Sequence, residues 1–216
     1  MSAMVIAVSC YASGSSSVVI IDNFDHDLNQ QWQVKEFSGQ TRYTTVTEPT
    51  GEVLRAESYS AASALFYEKT YSLNDYPFLT WRWKVSDVIA KGDASHKDGD
   101  DYAARIYVVF PHWFFPMTRS INYIWANKLP VGTHIPSSYT SRSVMLAVES
   151  GRDNIGSWHV ERRNVLEDYR RIFAEEPPMV GAIAIMTDTD NTKGSALSWY
   201  DDIRIESAPE SDPAKE

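Results

Sequence analysis

The sequence contains one cysteine, Cys10, among its 216 residues. An intramolecular disulfide needs two cysteines and a cysteine-based zinc site needs more, so the composition excludes both. Long apolar runs are missing as well. The apolar run at residues 3–8 is far shorter than the roughly 20 residues that cross a bilayer, so it predicts no transmembrane span.

Basic residues are outnumbered, with 20 lysines and arginines against 29 aspartates and glutamates and a formal net charge of -9. A phosphate backbone would be repelled by such a chain, and no basic stripe offsets the negative charge. Nucleic acid is therefore not expected as a partner.

Motifs of catalysis are absent too. The five histidines lack metal-binding spacing, and the sequence has neither a Gly-x-Ser-x-Gly elbow nor a glycine-rich phosphate loop. Two enzymatic alternatives stay open. Arg105 and Tyr107 share a strand face, as the charge-neutralising and basic groups of a polysaccharide lyase would, and Glu149 with Asp188 could form a glycosidase pair. The sequence favours a protein that is not an enzyme.

The first 17 residues predict either the remnant of an export signal or a disordered leader. The apolar run is followed by small residues and serines, and Cys10 lies in an imperfect lipoprotein cleavage box. The export interpretation predicts a periplasmic or envelope-associated protein, with lipid attachment at Cys10 as one option. Residues 207–216 are polar, contain proline and predict a disordered tail.

Short strands dominate the rest of the chain. The clearest is Leu79–Val85, in which apolar residues at odd positions alternate with polar residues at even positions. Glu48-Pro49-Thr50-Gly51 predicts the turn of a hairpin. Many strands with one short helix predict an all-β fold, namely a jelly-roll-like antiparallel β-sandwich formed as a single domain by residues 18–206.

One helix is predicted from Asn164 to Phe173. Asn164 is suited to cap its first turn, and Pro177 and Pro178 forbid its continuation. The spacing of Glu167 and Arg171 predicts an ion pair on its surface.

Several stretches together resemble a bacterial family of unknown function, DUF3047, over about residues 24–205. They are Leu79–Lys84, Gly99–Phe110, Asn122–Ala126, Asp168–Arg170 with Phe173, and Met186–Thr192 ahead of Trp199–Ile203. The resemblance implies an exported or envelope-associated protein without an activity that can be transferred. This chain has Ala174 where the family pattern implies glycine.

The stretch MTDTDNTKG, Met186 to Gly194, is the most distinctive candidate site. Asp188, Asp190 and Asn191 suit three roles: a strand-end turn, recognition of sugar hydroxyls, or oxygen ligands for Ca²⁺ from Asp188 and Asp190. A second acidic stretch, residues 96–101, is either a solvated loop or the other half of the same cation site.

Arginines and aromatic residues complete the predicted ligand contacts. Arg82 and Arg105 alternate with apolar neighbours, so each either binds a ligand carboxylate or forms a structural ion pair. Trp125 and Trp199 are candidate stacking surfaces, and residues 111–116 form an aromatic loop that is either exposed or tucked over the core. The sequence thus predicts a non-catalytic protein that binds a carbohydrate or related polar ligand through Arg82, Arg105, Tyr107, Trp125, Asp188, Asp190, Asn191 and Trp199, with protein–protein interaction as another option.

Overall fold

The computed structural model describes residues 16–209, which form thirteen strands and one α-helix. Cys10 and the predicted export segment around it lie outside the described residues, as does most of the predicted tail. Within the described part, no helix is long and apolar enough to cross a membrane. The elements are β1 (Val18–Asp22), β2 (Trp32–Ser38), β3 (Arg42–Glu48), β4 (Gly51–Tyr59), β5 (Ala62–Tyr71), β6 (Phe78–Val85), β7 (Arg105–Phe110), β8 (Arg119–Ala126), β9 (His134–Pro136), β10 (Ser143–Ser150), β11 (His159–Asn164), α1 (Val165–Phe173), β12 (Val180–Asp188) and β13 (Ser195–Glu206).

The strands form two sheets packed face to face. One sheet has six strands in the order β11-β6-β13-β4-β3, with β1 also paired to β13, and the other has seven in the order β2-β5-β12-β7-β8-β10-β9. Because side chains alternate between the faces of a strand, each sheet has an inner face towards its partner and an outer face. The prediction of a β-sandwich with one short helix is confirmed.

Strand β6 shows how the sequence builds the core. Its odd-numbered residues Leu79, Trp81, Trp83 and Val85 are fully buried. The rings of Trp81 and Trp83 meet edge to face at 5.4 Å, and Trp81 also contacts Tyr123 of the opposite sheet, with 5.4 Å between ring centroids. The aromatic surplus of the sequence therefore fills the space between the sheets.

The sheets are not purely antiparallel. Strand β10 pairs with β8 in parallel, so that Val144 lies opposite Ile121 and Leu146 opposite Tyr123. The long connection through β9 returns the chain to the start of β8 and makes this arrangement possible. The predicted hairpin is confirmed, since Glu48 pairs with Gly51 across the turn.

Helix α1 has the predicted limits and cap. The side chain of Asn164 accepts a hydrogen bond from the Glu167 amide at 3.2 Å. The predicted ion pair of Glu167 with Arg171 is wrong, because Arg171 instead contacts Asp168 at 3.0 Å. Asp168 is buried and also binds Arg163, so it offers arginine a less hydrated partner than Glu167 does.

The C-cap of helix α1 is Ala174, the position at which the family pattern implies glycine. Ala174 has φ 53° and ψ 32°, the left-handed conformation that glycine adopts without steric cost, and its amide donates to the Arg170 carbonyl.

We expect Ala174→Gly to raise the free energy of unfolding by about 1 kcal/mol, because the Cβ strain disappears. Urea denaturation of the two proteins measures the change, and Gly132→Ala, at an open position with φ +83°, is the reverse control that should destabilise. Unchanged or reduced stability of Ala174→Gly would contradict this account of the cap.

Candidate functional site

A pocket of about 440 Å³ opens on the outer face of the seven-stranded sheet. Strand β12 explains its position: Ile183 and Ile185 face the core, whereas Met186 joins Ala62 and Ala64 in an apolar cluster on the outer side. The pocket is lined by Phe37, Ala62, Asp100, Arg105, Tyr107, Ser137, Tyr139, Thr140, Ser143, Met145, Met186, Asp188, Asp190 and Asn191. It combines an apolar floor with hydroxyl, amide and carboxylate groups, as small-molecule sites commonly do.

A buried ion pair lies at the base of the pocket. The Nη2 atom of Arg105 is 2.6 Å from Oδ2 of Asp188, and the two side chains are only 6% and 2% exposed. The guanidinium carbon lies 5.0 Å from the Tyr102 ring centroid and 5.2 Å from that of Tyr107. Burial lowers the pKa of Arg105, but Asp188, Tyr107 and Asp100 together raise it by more, so the guanidinium stays protonated.

The two acidic stretches of the sequence meet beside this pair. Asp101 accepts hydrogen bonds from the backbone amides of Asn191, at 3.1 Å, and Thr192, at 2.6 Å. The side-chain amide of Asn191 in turn donates to the Lys97 carbonyl and to the Tyr139 hydroxyl. The loop after β12 is therefore fixed to the loop before β7, and both form one wall of the pocket.

Carboxylates crowd this wall. Oxygen atoms of Asp101, Asp188 and Asp190 lie within 4.8 Å of one another. Burial raises the pKa of Asp188 well above its ordinary value, and Asp101, Asp100 and Asp190 add to the rise while Arg105 opposes it. Burial also raises the pKa of Asp100, with contributions from Asp101 and Asp190.

Asp101, Asp188 and Asp190 are also the residues that could jointly hold a metal ion. Oxygen ligands suit Ca²⁺, which takes six to eight of them. Here Arg105 already supplies a positive charge at Asp188, and backbone amides occupy both oxygens of Asp101. The geometry thus gives Ca²⁺ fewer free oxygens than the sequence suggested, and calcium binding stays a prediction.

Five of the predicted ligand contacts line this single pocket: Arg105, Tyr107, Asp188, Asp190 and Asn191. Asp188 is the last residue of β12 rather than part of the turn that follows. This strand position aims its carboxylate across the sheet at Arg105 on the neighbouring strand.

Arg82 and Trp199, two other predicted ligand contacts, lie outside this pocket. Both belong to the six-stranded sheet, on β6 and β13, so they point away from the pocket on the opposite side of the sandwich. Arg82 binds Asp201 and Asp202, and Lys84 lies 4.3 Å from the Trp199 ring centroid. The structural alternative, an ion pair, thus holds for Arg82.

Trp125 has no surface to offer a ligand, which corrects its predicted stacking role. It is fully buried between the sheets, packs against Trp83 at 5.9 Å and donates to the Gly151 carbonyl. Tyr123 and Trp125 alternate with Asn122 and Ile124 along β8, so their common face is the core.

Several lining residues were missed by sequence reasoning. Tyr139 and Phe37 are 60% and 56% exposed, and Ser143 and Met145 begin the edge-side strand β10. The exposure of these two aromatic rings could have been predicted from the sequence. Each ring is preceded by polar residues and has no apolar residue two positions away, so neither belongs to an apolar strand face. Their arrival in one pocket depends on the strand order, which local sequence does not encode.

The aromatic loop at residues 111–116 is exposed rather than tucked over the core. Trp113, Phe114 and Phe115 are 92%, 52% and 73% exposed. Phe115 stands near the same outer face, since Nζ of Lys35 is 5.6 Å from its ring centroid and 5.6 Å from that of Phe37.

The glycosidase pair suggested by the sequence does not form a cleft. Glu149 contacts His159 at 3.3 Å and Asn154 at 3.0 Å, and it is not among the residues that line the pocket with Asp188. Ser143, which does line it, is six residues away along β10, roughly 20 Å in an extended strand.

A second carboxylate near Glu149 has an unusual pKa. Burial, together with the charge of Glu149, raises the pKa of Glu161 from 4.5 to about 7. The folded state therefore binds a proton more tightly than the unfolded state at this residue. That contribution to stability is fully present below about pH 4.5 and is lost as the pH rises through about 7.

We expect Glu161→Gln to flatten this pH dependence. The wild-type protein should lose roughly 1 to 2 kcal/mol of stability between about pH 4.5 and about pH 8 that the variant does not lose, after allowance for partial exposure. Urea denaturation at intervals of pH measures the difference, and Glu52→Gln serves as a control. Parallel pH profiles for wild type and Glu161→Gln would show that this carboxyl group titrates normally.

The fold is similar to that of solved carbohydrate-binding modules. The family 11 carbohydrate-binding module of the cellulosomal cellulase Lic26A-Cel5E of Clostridium thermocellum has a TM-score of 0.51 at 12% identity, covering 91% of this chain and 98% of that chain. The family 30 carbohydrate-binding module of the cellulase Cel9D-Cel44B of Clostridium thermocellum has a TM-score of 0.49 at 10% identity, covering 90% and 99%. At such identity the first likeness shows the fold alone.

The sequence itself assigns the family. Residues 30–204 match the model described as "Protein of unknown function (DUF3047)", so the chain belongs to that family and the resemblance noted from the sequence is confirmed. Comparison with curated protein sequences gives no match.

Proposed function

We propose that the protein binds a carbohydrate in the pocket on the outer face of the seven-stranded sheet, without chemical conversion of it. The observation that carries the proposal is one pocket of about 440 Å³ that joins exposed aromatic rings to fixed polar groups. Sugars present an apolar ring face and several hydroxyls, and they are bound by this combination.

The polar groups are held before a ligand arrives. Asn191 is fixed by the Lys97 carbonyl and Tyr139, and Asp188 by Arg105. A preorganised site loses less conformational entropy on binding than a mobile one. Tyr139 and Phe37 offer ring faces on the exposed sides of the pocket.

A lyase mechanism at Arg105 and Tyr107 has less support. Burial raises the pKa of Tyr107 above its ordinary value even though Arg105 lowers it, so the phenolate needed as a base is scarce at neutral pH. The Tyr107 hydroxyl donates to the Met186 sulfur at 3.3 Å. Export to the periplasm or envelope stays a prediction from the sequence.

A glycan panel tests the proposal. Among neutral, amino and acidic oligosaccharides, at least one class should bind by isothermal titration calorimetry, and Tyr139→Ala or Phe37→Ala should weaken that binding by about tenfold or more, because each removes a ring from the pocket. Tyr59→Ala is the matched control, since Tyr59 is 81% exposed on the six-stranded sheet. Absence of binding to every glycan class, or equal loss in Tyr59→Ala, would reject the proposal.

The exposed loop favours a second candidate function, docking to another protein. Trp113, Phe114 and Phe115 form a contiguous apolar projection with 5.9 Å between the first two ring centroids. This function gains support if no glycan binds and if a cross-linked partner is lost in Trp113→Ala but kept in Tyr59→Ala.

A further inference from the structure

The charge balance of the pocket identifies a class of ligand. Asp100, Asp188 and Asp190 line it, and Asp101 lies directly behind them. Arg105 is the sole cationic side chain among the described residues of the lining. Lys97 lies against Tyr139 and Lys35 against Phe37, but neither lysine belongs to the lining.

Arg105 is not free to bind an acidic sugar. Its Nη2 atom donates to Asp188 at 2.6 Å, and its guanidinium is enclosed by the rings of Tyr102 and Tyr107. A ligand carboxylate would have to displace Asp188 and would then meet Asp100 and Asp190. This geometry argues against the carboxylate recognition that the sequence suggested for Arg105.

Asp190, in contrast, is available to a ligand. Its side chain is half-buried and has no hydrogen bond or ion pair with any residue in the described range 16–209. Its carboxylate lies within 4.8 Å of oxygens of Asp188 and Asp101. A cation placed here would gain attraction from several carboxylates at once.

A second observation also indicates a missing polar partner. Arg105 is 5% exposed, and its Nε–H donor has no acceptor among the described residues. A buried donor without an acceptor costs free energy, and a ligand hydroxyl that enters against Arg105 would supply one. The pocket therefore combines free carboxylate acceptors with an unmet donor.

We propose that the ligand is a saccharide that carries a protonated amine, and that the pocket discriminates against anionic saccharides. The ammonium group donates hydrogen bonds to Asp190 and its neighbours, and sugar hydroxyls occupy the rest of the lining. This inference rests on the proposed carbohydrate-binding function and specifies the charge of its ligand.

Matched oligosaccharides of equal length test the proposal by titration calorimetry. The probes are a glucosamine oligomer, its N-acetylated form, a glucose oligomer and a uronic acid oligomer, at about pH 5.5 with EDTA so that the amine is charged and no metal intervenes. The glucosamine oligomer should bind at least about tenfold more tightly than the acetylated and neutral forms. The uronic acid oligomer should bind most weakly.

Two variants localise the effect. Asp190→Asn should bring the ratio of the acetylated to the amine Kd down towards one, whereas Asp98→Asn, which removes an exposed charge from the neighbouring turn, should keep the ratio. A thermal-shift profile of each variant verifies folding. An unchanged ratio in Asp190→Asn would overturn the assignment.

The remaining outcomes are also decisive. If the neutral forms bind as tightly as the amine, or the uronic acid form binds best, the charge assignment is wrong while the carbohydrate function stands. If none of the probes binds, the carbohydrate function itself fails. If Ca²⁺ in place of EDTA raises the melting temperature and removes the amine preference, the carboxylates form a metal site and the proposal is overturned.

Discussion

The buried ion pair of Arg105 and Asp188 is the interaction on which the pocket depends. The two residues lie on neighbouring strands of the seven-stranded sheet, and removal of either partner leaves an unpaired charge in the interior, which typically costs about 3 to 5 kcal/mol. Because Asp188 also accepts from the Tyr102 amide at 3.4 Å, the pair fixes the end of β12 to the loop that precedes β7. Asp101, in the loop before β7, accepts from two backbone amides of the loop after β12, so the two loops are joined in both directions.

The two outer faces of the sandwich differ in how completely their charges are matched. On the six-stranded sheet, Arg82 binds two aspartates and Lys84 lies 2.5 Å from Glu48. Lys84 also lies between the rings of Trp158 and Trp199, so that face is largely satisfied by its own contacts. On the seven-stranded sheet, Asp190 stays without a partner among the described residues, and an open pocket adjoins it. Unmatched polar groups beside a concavity distinguish a binding surface from a structural one.

Local sequence predicts the features that depend on the alternation of apolar residues and on the residues that begin and end a helix. Alternation in β6 predicts its buried face, and the asparagine cap and double proline predict α1. For the second acidic stretch, local sequence left a solvated loop and contact with the first stretch as alternatives, and the structure shows the contact. Strand order is different, because it results from pairings between distant segments. Arg82 and Arg105 have the same local pattern, yet β6 and β7 belong to different sheets, so only topology separates a structural arginine from a pocket arginine. Trp125 lies on the core face of β8, but Ile124 and Ala126 on the other face are apolar and buried as well, so local alternation does not separate the two faces.

The most direct test of this account is the crystal structure of the protein with the tightest-binding glycan from the panel. The account predicts the sugar on the outer face of the seven-stranded sheet, with a ring against Tyr139 or Phe37, polar contacts to Asn191 and Asp190, and the Arg105–Asp188 pair intact. A sugar seated on the six-stranded sheet against Trp199 or Trp158, or a ligand that replaces Asp188 at Arg105, would contradict it.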